Sequence, residues 1–110
     1  MRRTSLGEFE ILVLAALLRC GDEAYGAAIR EEIKSRAGRD ATVGAIYTTL
    51  ARMQEKGLVT SKLGPASAER GGRPKRFFRL TARGRKAFDA SVDSLRSMLD
   101  GLDAVPESRS

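Results

Sequence analysis

Residues 42–81 constrain the fold more than any other stretch: an amphipathic helix runs without a linker into two short β-segments, and the loop between them, Glu69-Arg-Gly-Gly-Arg-Pro-Lys-Arg76, is loaded with cations. Drawn at about 100° per residue, the helix puts Val43, Ile46, Leu50, Met53 and Gly57 on one side, with Tyr47 and Gln54 on its shoulder. The opposite side carries Ala45, Thr48, Arg52 and Glu55, with Gly44 close by, so its N-terminal half has almost no bulk. A surface that narrow fits a major groove, which is about 12 Å wide. Thr42 suits an N-cap and Gly57 a stop, which sets a helix over 43–56.

Leu58–Leu63 and Arg76–Thr81 read as strands rich in β-branched and aromatic residues, around Gly64-Pro65, Gly71-Gly72 and Pro74. From Lys62 to Lys86 nine cations (Lys62, Arg70, Arg73, Lys75, Arg76, Arg79, Arg83, Arg85, Lys86) face Glu69 alone, a net +8 in a chain whose total is +6. The basicity is local, as a polyanion footprint requires and a general solubility surface does not. Charge runs in glycine-rich loops are also often merely solvated; the neighbouring helix favours the footprint. Phe77 and Phe78 alternate across the second strand, so one faces the core and the other supports the loop.

The remaining segments complete one small domain. A chain of 110 residues with 42% hydrophobic content buries roughly two thirds of its surface, enough for one core but marginal without a partner. The apolar run Phe9–Leu18 is too short to span a membrane and is interrupted by Glu10, while Ser5 and Glu8 form a capping box, so it reads as a buried helix from Leu6 to Arg19 in a cytosolic protein. Cys20 alone gives no disulfide framework and reads as a small buried hydrophobe. A second helix runs from Tyr25 to Ala37, with Ile29 and Ile33 inward and Arg30, Lys34 and Arg36 toward water.

A last helix runs from Thr81 to Leu102, and Phe88, Val92, Leu95, Leu99 and Leu102 recur at four, three, four, three. This heptad-type seam is expected to form a dimer interface, the alternative being that the helix folds back on its own domain. The expected architecture is mainly α with a small β-hairpin: a winged helix-turn-helix over 1–80, a C-terminal dimerisation helix over 81–105 and a disordered tail over 106–110.

Four motifs in order resemble the PadR-type transcriptional regulators over about residues 5–90: Leu6-Gly-Glu-Phe-Glu-Ile-Leu12; Asp22-Glu-Ala-Tyr-Gly26 with Ile29; Gly44-Ala-Ile-Tyr-Thr-Thr-Leu50 leading to Glu55-Lys-Gly-Leu58; and Glu69 to Thr81 with Gly84. The single short C-terminal helix resembles the smaller subgroup. The resemblance implies a homodimeric bacterial winged-helix protein, usually a repressor, with recognition helix 43–56 and wing 64–76. It also implies that Tyr47 bonds a phosphate, the alternative being simple packing under the wing. On that frame Thr42, Ala45, Tyr47, Thr48 and Arg52 on the helix, with Lys62, Arg70, Arg73, Lys75 and Arg76 on the hairpin, are the expected DNA contacts. Ala45 and Thr48 would meet base edges, Arg52 phosphate or guanine, and the wing cations backbone or minor groove.

Other classes fit less well. With no His, one Cys in an apolar context and scattered carboxylates, the sequence offers no catalytic or metal-ligating constellation, and no cofactor is expected. A winged helix that binds protein or RNA would favour aromatic or aliphatic anchors where this helix shows Ala45, Thr48 and Arg52. The expected partners are double-stranded DNA with an inverted-repeat operator, a second copy of the chain and, as a third reading, a small-molecule effector of unspecified identity. Some PadR relatives hold flat aromatic drugs at the dimer interface with a tryptophan of the last helix. This chain has no Trp, leaving Met98 and Phe88 as candidates for a smaller apolar pocket or for plain interface.

Overall fold

The computed structural model describes residues 5–65 and 74–107. Among them the order is α1 (Glu8–Cys20), α2 (Gly26–Ala37), α3 (Val43–Glu55), β1 (Val59–Leu63), β2 (Arg76–Leu80) and α4 (Ala82–Leu99), a mainly helical fold with a two-stranded antiparallel hairpin. Val13, Leu14 and Leu17 of α1, Ile29 and Ile33 of α2, and Ile46, Leu50 and Met53 of α3 close on one core, which Leu58, Val59 and Phe78 of the hairpin region complete. Each such side chain contributes about 1.5–3 kcal/mol of apolar burial. No helix among the described residues is long and apolar enough to cross a membrane.

The start of α1 differs from expectation. The N-cap is Gly7, not Ser5, and Glu10 reaches back to accept the Gly7 N–H at 2.8 Å, so the carboxylate half of a capping box forms two residues later than the sequence placed it. Glycine has no side chain to supply the other half. Leu6, expected inside the helix, is instead a buried plug ahead of it. Cys20 is half-buried at the other end.

The third helix follows its sequence signals closely. Thr42 is extended, and its Oγ1 accepts the Ala45 N–H at 3.0 Å. At the far end the Leu58 N–H donates to Met53 O and the Gly57 N–H to Gln54 O, a Schellman arrangement that needs the left-handed φ of 77° at Gly57. The chain leaves that turn directly into β1.

Pairing runs from Val59↔Leu80 to Leu63↔Arg76. The alternation puts Val59, Ser61, Leu63, Arg76, Phe78 and Leu80 on one face and Thr60, Lys62, Phe77 and Arg79 on the other. Phe78 is the core member of the phenylalanine pair and Phe77 is half-buried. The hairpin also has a third edge that sequence reading assigned to a helix. Tyr25 is an extended N-cap residue, forms a β-bridge to Phe77, and the Phe78 N–H donates to Ala24 O at 2.8 Å.

Thr81 ties α4 to the end of α3. Its hydroxyl accepts the Gly84 N–H at 2.9 Å and donates to Gly57 O at 2.7 Å. Ala87 is buried and Phe88 packs on the core, so the first half of α4 belongs to the body of the domain. The helix stops at Leu99 rather than Leu102: Gly101 takes a φ of 77° and Leu102–Ala104 form a separate single turn. The apolar spacing continues past a helix breaker, which periodicity alone does not register. Beyond Val92 the helix stands away from the domain, and the radius of gyration is 16.5 Å, against about 13 Å for a compact chain of this length. Of the tail expected over 106–110, residues 108–110 lie outside the described residues.

Candidate nucleic-acid interface

Ala45, Thr48 and Arg52 are all exposed and lie at spacings of three and four, so they form one stripe along the outer side of α3. Thr42 is exposed at the head of that stripe. The Thr48 hydroxyl donates to Gly44 O at 2.9 Å. Its proton being committed, Thr48 can meet a base edge only as an acceptor or through its methyl, which suits an adenine or cytosine amino group or a thymine methyl.

Tyr47 stands at the junction of α3 and the hairpin. It is 37% exposed, with its ring 5.7 Å from that of Phe78 and against Gly26 at the start of α2. Two open grooves flank it, of about 450 Å³ toward Tyr25, Pro74 and Lys75 and about 650 Å³ toward Gln54 and Ser61, and Arg76 borders both. Packing and an accessible edge coexist in this residue, so the two roles considered for it are compatible in geometry.

The hairpin cations divide. Arg76 is exposed and shares the α3-facing side of the hairpin, where its Nη1 donates to Ser61 Oγ at 3.1 Å. Lys75 is half-buried, its ammonium 3.9 Å above the Tyr25 ring, a cation–π contact at the base of the wing that no periodicity signals. Lys62 is exposed but pairs with Phe77, which turns it to the face away from α3. It is therefore not brought together with Ala45 and Thr48. Arg70 and Arg73, the remaining expected wing contacts, lie outside the described residues. Arg79 is paired with Asp22 at 3.3 Å.

Along the seam expected to join two chains, the residues also divide. Phe88 and Val92 are half-buried, Phe88 against its own core, whereas Leu95, Leu99 and Leu102 are 50–55% exposed, with Met98 at 77% and Val105 at 59%. Met98 lies nearly three turns beyond Phe88, so these two do not meet in one chain to line a pocket. Burial, and then the Glu32 carboxylate, push the Cys20 thiol up, the reverse of an activated nucleophile.

The PadR-like transcriptional regulator family model matches residues 13–90, which takes in the core, α3, the hairpin and the docked start of α4. The chain belongs to that family. Solved structures agree with the PadR fold. A PadR family transcription regulator from Clostridium difficile R20291 superposes with a TM-score of 0.72 at 22% identity, over 89% of this chain and 97% of that one. One from Eggerthella lenta gives 0.70 at 22% identity over 92% and 83%. A PadR-like regulator from Bacillus cereus gives 0.68 at 19% identity over 90% and 94%. At such identities these likenesses speak for the fold. No curated protein matches in sequence. As a PadR-like regulator the chain is a DNA-binding transcription factor.

Proposed function

We propose that this PadR-like protein is a homodimeric repressor that binds an inverted-repeat operator through α3 and the wing. The observation that carries the reading is the outer side of α3: a narrow stripe of Ala45, Thr48 and Arg52 left uncovered beside the exposed cation Arg76. Ala45 and Thr48 supply the short contacts that read base edges, while Arg52, Tyr47 and the wing cations hold phosphates and set affinity. Dimerisation is proposed through the free half of α4 and the turn after it, where Leu95, Met98, Leu99 and Leu102 are 50–77% exposed. The half-exposed Ile11, Leu12, Ala15 and Leu18 of α1 offer a partner surface of matching chemistry. Two reading helices would then address major-groove faces about 34–36 Å apart.

Fluorescence anisotropy against the DNA upstream of the protein's own gene and a shuffled duplex, at about 50 and 200 mM salt, tests the reading. Six to ten phosphate contacts lower affinity by about 10³–10⁵ between the two salts. A preference for the upstream DNA that persists at the higher salt supports an autoregulating, sequence-specific regulator. In the same assay Thr48→Ala relaxes sequence preference, whereas Arg73→Ala with Lys75→Ala weakens binding to all duplexes and flattens the salt dependence by about one to two units. Equal losses on every sequence from both variants would contradict this division of labour, and no binding to any duplex would favour a protein-interaction module.

A further inference from the structure

Six arginines among the described residues donate hydrogen bonds from their guanidinium groups, and five of them reach carboxylates: Arg30 to Asp40, Arg36 to Glu32, Arg39 to Glu8, Arg79 to Asp22 and Arg85 to Asp89. Arg76 is different. Its Nη1 donates to the Ser61 hydroxyl at 3.1 Å, and that hydroxyl donates on to Gln54 Oε1 at 3.0 Å. The carboxylate of Glu55 borders the same groove, yet among the described residues Arg76 forms no ion pair. Its orientation is held, and no carboxylate among the described residues neutralises its charge.

A guanidinium can only donate, so Ser61 accepts from Arg76, and the Ser61 proton goes to Gln54 Oε1. With Oε1 toward Ser61, both protons of Gln54 Nε2 are left for a further acceptor. Arg76, Gln54 and Tyr47 all border the groove between α3 and the hairpin, and each carries a hydrogen-bond donor. A ligand that is anionic and only accepts, as a phosphodiester is, matches such a set.

We infer that Gln54 and Ser61 are positioning residues for a phosphate clamp made by Tyr47 and Arg76, and that the relay couples the wing to the recognition helix. The inference rests on the DNA-binding reading above. Gln54 lies on α3, Ser61 on β1 and Arg76 on β2, so one line of hydrogen bonds fixes the spacing of all three elements where a DNA backbone would cross them. Without the Ser61 hydroxyl the Arg76 side chain regains rotamers that must be frozen again on binding.

A double-mutant cycle on the full chain tests this, read by anisotropy with a mixed-sequence duplex of about 30 base pairs at low salt, where phosphate contacts dominate. Ser61→Ala is expected to weaken binding about three- to tenfold, the scale of one ordinary net hydrogen bond, and Ser61→Thr to restore it. In an Arg76→Ala background Ser61→Ala is expected to cost nothing further. Thermal unfolding of Ser61→Ala should match the parent, because this network lies at the surface. Equal losses from Ser61→Ala with and without Arg76, or an unaltered affinity, would overturn the relay while leaving DNA binding intact. A parent protein that binds no duplex would instead remove the interface on which the relay depends.

Discussion

The ring of Tyr47 lies so close over Gly26 that a Cβ on that glycine would sit 2.8 Å from Cε2 and 3.0 Å from the hydroxyl oxygen. Gly26 opens α2, so this contact fixes the Tyr47 side chain of α3 from the neighbouring helix. Alanine in a helix normally gains about 0.5–1 kcal/mol over glycine. Here it must push aside the far end of a tyrosine side chain. Gly26→Ala is therefore expected to leave stability within about 1 kcal/mol while weakening DNA binding, because the hydroxyl is displaced from the groove. Tyr47→Phe should give a comparable loss of affinity and leave the salt dependence unchanged, because a neutral hydroxyl releases no counterion when it bonds a phosphate. Both are read by urea unfolding and anisotropy; a Gly26→Ala protein with full affinity would show that the tyrosine only packs.

Gly84 meets a harder obstacle. A Cβ there would land on the carbonyl oxygen of Leu58, with the Leu80 side chain also in the way. Backbone cannot step aside as a side chain tip can. Gly84→Ala is expected to destabilise by about 3 kcal/mol, at the upper end for overpacking, and to loosen the joint between α3, the hairpin and α4. Chemical denaturation measures it directly, and a shift below about 1 kcal/mol would mean that the α4 crossing can yield.

These two glycines mark the limit of what the sequence discloses. Local chemistry was readable: the Thr42 cap, the Gly57 stop, the inward Ile46, Leu50 and Met53, and both strands emerge within a residue of expectation. Each depends on neighbours a few positions away. The Tyr47–Gly26, Gly84–Leu58 and Lys75–Tyr25 contacts and the Gln54–Ser61–Arg76 relay join residues whose proximity depends on how whole elements pack. Hydrophobic period carries no signal for them. The same blindness extended the last helix through Gly101 and placed a cap at Ser5, since spacing matched while backbone conformation did not.

Thr42 serves structure and, on the proposed reading, contact at once. Its Oγ1 caps the turn that presents Ala45 and Thr48. Thr42→Ala is expected to cost about 1 kcal/mol of stability through loss of that cap. Thr42→Asp keeps a capping oxygen and a favourable charge at the helix N-terminus, so stability should be retained or improved. The added negative charge faces the polyanion, however, and affinity for every duplex should fall. Stability and affinity that moved together in both variants would show that Thr42 acts through the helix alone.

The divided seam of α4 separates the proposed association from folding. Leu95 and Leu99 are 51% and 55% exposed on the free half of the helix, where a charge would disturb the proposed partner's surface more than the core of the domain. Leu95→Asp combined with Leu99→Asp is expected to sediment as a monomer while keeping its helical circular dichroism. Phe88, although it opens the heptad-type seam, packs against the core of its own chain. Phe88→Ala should lower stability by up to about 3 kcal/mol, somewhat less than for a fully buried ring. A Leu95/Leu99 double variant that remained dimeric would move the interface to another face, and one that lost its fold as well as its partner would show that the free half of α4 is needed by the single chain.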